Sequence, residues 1–547
     1  MEVNQLLAYA ALTGLLVHQI FKRSEPSLFQ FSFYVASLFV ISPVALYTFH
    51  VTLWLSPLLP VVHLLTLGTS IITYRLAPFH PLASFPGPLK DRISKIFGAT
   101  TTARGQWPYY VHQLHQRYGD FVRVGPNELS VNNVDAITAI YGPGGLVKGP
   151  FYDAFMRPEG AQPMFTIRGH AAHHARRQVY NRAFQNEAMN GYKSALVTDA
   201  EEWLKRLREV GSQGPVDMHA WLGYFTFDFM GELLFGGSFN MTKEGGDPIG
   251  MWPILNTALD IFALFGNIPW LTPILALLPA NDDKKRWQHH AVTRIARRTE
   301  EGAKHKDMFH YLMGEDRQDS DPPLHPFTVL AEVVNMMIAG SDTTSVAMTF
   351  LLYYILAVRP ECYKTLVGEL DSVFPPSQPF PMDDDKLYDK LADCQYLNAC
   401  INECMRLAPP VPRGMQRFTG PKGAIIVGKY IPPNTSISVP TYSIHRDERC
   451  FSPRTLEFCP ERWYEDGWKN EKLAFLPFLY GPYGCAGKNL AYHQMRLVIA
   501  SLMHEFTLEL SDSWDRRKFE TSFHENFGIH IGAVDVKLTG RKDVLSA

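Results

Sequence analysis

The run Phe478-Leu-Tyr-Gly481-Pro-Tyr483-Gly-Cys485-Ala-Gly487-Lys488 sets a cysteine in a glycine-rich loop just ahead of an apolar helical pattern, Asn489–His504. Glycines let a backbone turn tightly and pass close to a flat object. A cysteine at a helix N-terminus faces backbone N–H groups, which favour its thiolate. A thiolate so placed suits an axial ligand to haem iron. Gly487-Lys488 also hints at a phosphate-binding loop, but that spacing needs Gly at 482 and Ser or Thr at 489, and the chain has Pro482 and Asn489. Most cysteines are inert core residues; here the loop around Cys485 outweighs that simpler reading.

A second cluster, Ala339-Gly340-Ser341-Asp342-Thr343-Thr344, lies in the middle of a long helical pattern. Gly340 disfavours helix there, and Asp342 beside Thr343 is costly to bury without partners. Together they can open the helix locally to a water or ligand. The plainer alternative is a capped break between two helices. A third, Glu403-Cys-Met-Arg406, puts opposite charges three residues apart on one helix face. Exposed, such a pair contributes little; buried and joined by a third charge such as Arg462 of Pro460-Glu461-Arg462-Trp463, it becomes a structural network.

The elements that must position these residues read as mainly α with small β-sheets. Helical periodicity covers Trp107–Tyr118, His170–Phe184, Lys193–Val210, Trp221–Phe235, Pro326–Ala357, Glu361–Val373 and Cys394–Leu407, besides the helix after Cys485. Short strand-like runs stand at Phe121–Val124, Glu128–Val131, Ala424–Val427 and Ser436–Val439. The last two flank Ile431-Pro-Pro-Asn434 and are expected to pair as a hairpin. An apolar stretch, Ile249–Pro279, is broken by four prolines; it reads as buried core or as a helix–loop–helix touching a bilayer surface.

Charge divides the chain. Its 547 residues carry 52 Lys and Arg against 54 Asp and Glu, a balance that excludes a basic nucleic-acid binder. Yet no Asp, Glu, Lys or Arg occurs from Pro26 to Tyr74, and a helix in water needs a polar face. Apolar stretches at Leu6–Phe21, Phe29–Phe49 and Thr52–Tyr74 are expected to form three transmembrane helices. A cleaved signal peptide is the rival for the first, but its basic pair, Lys22–Arg23, follows the apolar core instead of preceding it. Basic residues after the first and third spans orient both toward the cytosol. The expected organisation is a membrane anchor over 1–76, a proline-rich linker over 77–88 and a catalytic domain over 89–547. Seven cysteines are too few and too odd in number for a disulfide scaffold.

From Phe85 to the C-terminus the chain resembles a cytochrome P450, a haem–thiolate monooxygenase, with motifs in the family's order. Gly340-Ser-Asp342-Thr343 resembles the oxygen-activation motif, Glu403-x-x-Arg406 with Arg462 the family's charged triad, and Phe478…Gly481…Cys485…Gly487 the haem loop. The style of Phe85-Pro-Gly-Pro and Gly481-Pro-Tyr-Gly-Cys resembles fungal members of specialised metabolism.

That resemblance implies haem b with Cys485 as iron ligand and Phe478, Tyr483 and Gly487 beside it. Asp342 and Thr343 would relay protons, while Arg177 and Arg413 would pair the haem propionates. It further implies O₂, a lipophilic small-molecule substrate of terpenoid, sterol-like or other secondary-metabolite type, a separate NADPH-dependent reductase, and the cytosolic face of the endoplasmic reticulum membrane. Two positions depart from the family's pattern: Tyr483 replaces an arginine two residues before the cysteine, and His173 replaces a tryptophan four residues before Arg177. His170 and His174 could mimic a metal pair, but no third ligand is evident. The rival readings are a haem–thiolate isomerase or dehydratase that needs no reductase, against which Asp342-Thr343 argues, and a polytopic membrane protein without haem.

Overall fold

The computed structural model describes residues 2–22, 26–155, 161–277, 282–302, 306–316 and 324–541. Arg23 of the basic pair, Pro279 at the end of the apolar stretch and the last residues of the chain lie outside that set.

The charge-free front of the chain forms three helices, α1 (Val3–Phe21), α2 (Leu28–Thr48) and α3 (Leu58–Leu76). By length and composition, Leu28–Thr48 and Leu53–Leu76 can each cross a membrane. The first helix is slightly shorter and lies against α3. Gly14 is what lets them meet: a Cβ there would stand 2.7 Å from the carbonyl of His63. Polar side chains close the contact, Thr13 Oγ1 with His63 Nδ1 at 2.9 Å and His18 Nδ1 with Ser70 Oγ at 2.7 Å. In an apolar surrounding such groups need partners within the protein. Helix α2 runs through Pro43 without a break, and the chain reverses at His50, whose φ is 54°.

The Pro-rich segment after α3 is packed. Leu82 and Phe85 are buried in the core beside a small sheet, and Arg123 N–H donates to the carbonyl of Pro86 at 2.7 Å. Arg123, only 1% exposed, donates to the carbonyls of Pro126 (2.7 Å) and of Arg75 at the end of α3 (3.1 Å). One buried guanidinium thus joins the end of α3 to the turn after β1.

The domain opens with α4 (Ile96–Ala103), α5 (Trp107–Tyr118) and strands β1 (Phe121–Gly125), β2 (Glu128–Val131) and β3 (Val147–Lys148). Helices follow: α6 (His170–Ala183), α7 (Asn186–Gly211), α8 (Met218–Phe235), α9 (Met251–Asn267), α10 (Thr272–Leu277), α11 (Asp282–Glu301), α12 (Pro326–Tyr353), α13 (Pro360–Val373) and α14 (Gln395–Leu407). Then come β4 (Arg417–Phe418), β5 (Ala424–Ile426), β6 (Lys429–Ile431), β7 (Ser436–Ser438), α15 (Lys488–Glu505), β8 (Phe506–Leu510), β9 (His524–Asn526), β10 (Gly528–His530) and β11 (Asp535–Gly540). A domain of helices with small sheets is thus what forms. Helix α7 begins seven residues before the expected Lys193, because Ala188, Met189 and Tyr192 are buried at helical spacing and outweigh the Asn and Gly residues around them.

One expected pairing is wrong. Ala424–Ile426 pairs with Lys429–Ile431, not with Ser436–Ser438. Val427 and Gly428, at φ 47° and 69°, make a two-residue turn whose twist suits a hairpin. The prolines at 432 and 433 instead lead out to β7, which lies parallel to β2 in a sheet of order β1-β2-β7-β4-β3.

Helix α12 is the long central element and passes unbroken through Gly340–Thr344, so neither a local opening nor a capped break is seen. Thr343 Oγ1 donates back to the carbonyl of Ala339 at 2.7 Å. Gly340 serves close packing: a Cβ there would meet Met230 Sδ of α8 at 2.6 Å. The apolar stretch becomes α9, a short 3-10 turn and α10. Leu255, Leu259 and Phe262 face inward, while Ile261, Trp270, Ile274 and Leu277 are exposed.

Candidate active site

The cysteine loop follows from its glycines. Gly481 has φ 74°, and a Cβ there would lie 2.0 Å from the carbonyl of Tyr141. The loop closes with Cys485 N–H donating to the carbonyl of Phe478 (2.9 Å), and Gly487 caps α15. Among the seven cysteines, none disulfide-bonded, six are buried and Cys485 alone is exposed. Its exposed surface faces an internal cavity of about 330 Å³ that Phe478, Tyr483, Gly487, Asp342 and Thr343 also line. Depth in the protein pushes the thiol up from its ordinary value, opposed by a backbone hydrogen bond at Gly487 and the charges of Arg177 and Lys488.

Asp342 is buried on the same cavity, and burial pushes its carboxyl up to about 7. It can therefore hold or release a proton near neutrality, beside the Thr343 hydroxyl.

Glu403, Arg406 and Arg462 come together away from the cavity and are fully buried. Arg406 makes two 2.8 Å bonds to the Glu403 carboxylate, and Arg462 Nε stands 3.4 Å from it. The remaining Arg406 N–H groups reach the carbonyls of His445, Thr455 and Glu457. Trp463 Nε1 and the N–H of Cys459 complete the Glu403 shell. His445 carries the network onward: its Nε2 accepts the N–H of Leu476, two residues before Phe478. Sequence reading missed His445, since its partners are backbone atoms distant in the chain.

The two arginines expected to hold carboxylates behave differently. Arg177 donates to the carbonyl of Gly484 (2.5 Å) and to Asn181 (3.0 Å), and no carboxylate among the described residues pairs with it. Arg413 is instead committed to Glu525, through bonds of 2.6 and 2.9 Å. Arg417 lies four residues on, in β4. Arg417 is fully buried, and its Nε and Nη2 have no hydrogen-bond partner among the described residues. Antiparallel pairing of β3 with β4 sets Lys148 directly opposite Arg417. Like charges in that register repel. Lys148 is itself buried and donates to the carbonyls of Met164 (3.0 Å) and Phe165 (2.7 Å), and burial followed by Arg417 pushes its ammonium well down. Two buried basic side chains face to face, with N–H groups left over, suit a bound anion, which would restore the Lys148 charge. The only sequence signal was a basic residue in each of two very short strands.

Tyr483 lies beside this pair. Arg417 is 4.7 Å and Lys148 5.0 Å from its ring centroid, and its hydroxyl bonds the carbonyl of Arg168 (3.0 Å) and His170 (3.1 Å). His173 packs on the same ring at 4.4 Å; burial and then Lys148 lower it to about 3, so it is neutral. A thiol-bearing glycine loop, an opposing acid–alcohol pair and a dicationic wall on one apolar cavity fit haem and its two propionates.

Comparison with known proteins agrees. The Cytochrome P450 family model matches residues 90–538. Cytochrome P450 67 of Uromyces fabae is 34% identical over 549 aligned residues, covering 95% of this chain and 96% of its own length. Cytochrome P450 monooxygenase nodW of Hypoxylon pulicicidum is 35% identical over 444 residues, 81% of this chain and 79% of its own. Tryprostatin B 6-hydroxylase of Neosartorya fischeri is 31% identical over 497 residues, covering 88% and 87%.

Proposed function

The chain belongs to the cytochrome P450 family of haem–thiolate oxidoreductases, and from that premise we propose a membrane-anchored monooxygenase of fungal specialised metabolism in which Cys485 is the iron ligand. Haem, when bound, supplies the activation of O₂ from which one oxygen atom passes to substrate. Lys148 and Arg417 would hold its propionates, with Arg177 contributing from α6. Asp342 would hold and release a proton at its carboxyl, and Thr343 would present its hydroxyl to the same cavity. Glu403, Arg406 and Arg462 hold the fold beneath the loop. The observation that carries this reading is the dicationic wall on the same cavity as the one exposed thiol.

Electrons come from an NADPH-dependent reductase on the same membrane. Residues 1–76 anchor the domain to the endoplasmic reticulum, with 89–547 on the cytosolic face. Lys22 lies 3.9 Å over the Tyr74 ring, next to Arg75, so the basic ends of α1 and α3 share one level, which supports that orientation. A lipophilic substrate is supported by α9, whose inner face lines the cavity through Leu259 and Phe262 while Ile261 and Trp270 beyond it are exposed.

The test is expression with a reductase, NADPH and ¹⁸O₂. Substrate-dependent incorporation of one labelled atom is expected. Turnover of a hydroperoxide without reductase would give the site to an isomerase or dehydratase. Replacing Cys485→Ala should abolish the red-shifted Soret band of the reduced carbonyl complex.

A further inference from the structure

Phe527 is a bulky residue at φ 75°, joining β9 to β10 at the tip of a hairpin. An aromatic side chain rarely takes that conformation, and it persists only where its surroundings over-determine it. Here they do. The Glu525 carboxylate accepts the N–H of Phe527 (2.9 Å) while it pairs with Arg413; the two charged side chains are 1% and 4% exposed. Ile529 N–H donates to the carbonyl of Pro410 at 3.1 Å, and Asn526 bonds Asp260 of α9. The hairpin is therefore fastened on both sides, and its tip is presented to the cavity.

The Phe527 ring meets Phe262 at 4.9 Å and 66°, and Phe165 at 5.5 Å and 79°, both edge to face. Phe151 stands behind, 4.9 Å from Phe262. The rings of Phe165, Phe262 and Phe527 all line the cavity. This seat adjoins the catalytic acid: a Cβ on Gly528 would lie 3.1 Å from Asp342 Oδ2. Arg413 offers no free charge here, because Glu525 neutralises it, so the seat attracts no carboxylate.

We infer that this cluster is a seat for an aryl group of the substrate, that Phe527 is its specificity-determining contact, and that the Arg413–Glu525 pair positions it. The inference names a substrate class for the cavity and so rests on the monooxygenase reading above. Edge-to-face contacts favour an aromatic guest beyond the area it buries, an advantage that a saturated ring of the same size lacks.

Full-length holoprotein is titrated with naphthalene and with decalin, reading the Soret shift and, in parallel, equilibrium dialysis. Naphthalene should bind roughly tenfold more tightly, although decalin is the more water-averse. In Phe527→Leu the ratio should fall to within about twofold with the reduced-carbonyl Soret band unchanged. Phe527→Gly removes the ring but suits the left-handed backbone, so a lost ratio there is not a folding defect. Arg413→Met should lower the ratio and Arg413→Lys should restore part of it. Equal affinities in the wild type, or a ratio that survives Phe527→Leu, would overturn the inference. Absence of any haem band breaks the monooxygenase reading instead, and dialysis alone then decides this one.

Discussion

Two clusters of buried charge are opposite in character. Around Glu403, both arginines meet a carboxylate, and every N–H of Arg406 named above finds an oxygen. Around Arg417, two guanidinium nitrogens have no hydrogen-bond partner among the described residues, and the residue opposite in the strand pairing is another basic side chain. A folded chain leaves buried charge unpaired only at a cost of several kcal/mol per ion, so completeness marks structure and incompleteness marks a ligand. Substitutions should separate the clusters accordingly.

The largest effect is expected at the complete cluster. Glu403→Gln leaves Arg406 and Arg462 buried without a countercharge, at about 3–5 kcal/mol. Yield of folded, haem-loaded protein should collapse, measured as haem per chain after purification. A well-folded Glu403→Gln protein lacking only haem would mean that this network, too, is a ligand site.

Asp342 comes next, since it belongs to neither cluster and is the residue proposed to move the proton. Asp342→Asn should lower the rate of product formation roughly 100-fold, the scale of a lost proton donor, while haem content is unchanged. Stability should move the other way. The native carboxyl titrates at about 7, well above its ordinary value of 3.8. The native state therefore binds more protons than the unfolded one between those values, and stability falls as pH rises from 4 to 7. Asn removes that slope, so the variant should gain in thermal midpoint at pH 8 and not at pH 4. A midpoint difference independent of pH would show that Asp342 is paired in the protein.

At the incomplete cluster the sign should depend on the ligand. Arg417→Met or Lys148→Met relieves a cation–cation contact, so the haem-free protein should be as stable as wild type or more so. Haem should dissociate about tenfold faster, as expected when one charge-assisted pair is removed. Loss of stability in the haem-free state would place an unseen anion of the protein between the two strands.

The local motifs around Cys485, Asp342 and Glu403 were legible because each is contiguous and its chemistry is carried by neighbours in the chain. Lys148 and Arg417 were not, because their meaning lies in a two-residue strand pairing between segments 270 positions apart. The family resemblance gives Arg413 a propionate by its place after the Glu403 helix; in the structure Glu525, far downstream, pairs with it. The hairpin at Val427-Gly428 was missed because Ile431-Pro-Pro-Asn434 looked like the stronger turn, although prolines also make good connectors to a new sheet. Helix and strand periodicity did locate the main elements, since burial of one face is a local pattern.

The smallest effect bears on the one side chain that both clusters leave undecided. Tyr483 stands where the family places an arginine, and both Arg417 and Lys148 lie within 5.0 Å of its ring centroid. A cation over an aromatic face is stabilised by about 0.5–2 kcal/mol, so the ring itself softens the repulsion that an arginine would sharpen. Its hydroxyl is engaged with the Arg168 carbonyl and His170 and has no need of a propionate. Tyr483→Phe keeps the ring and loses those bonds, about 1 kcal/mol. The thermal midpoint should drop by a few degrees at most, and the rate of haem loss should stay within twofold of wild type. Tenfold faster loss would instead make the hydroxyl a direct propionate ligand and leave Lys148 and Arg417 a smaller share of that anion.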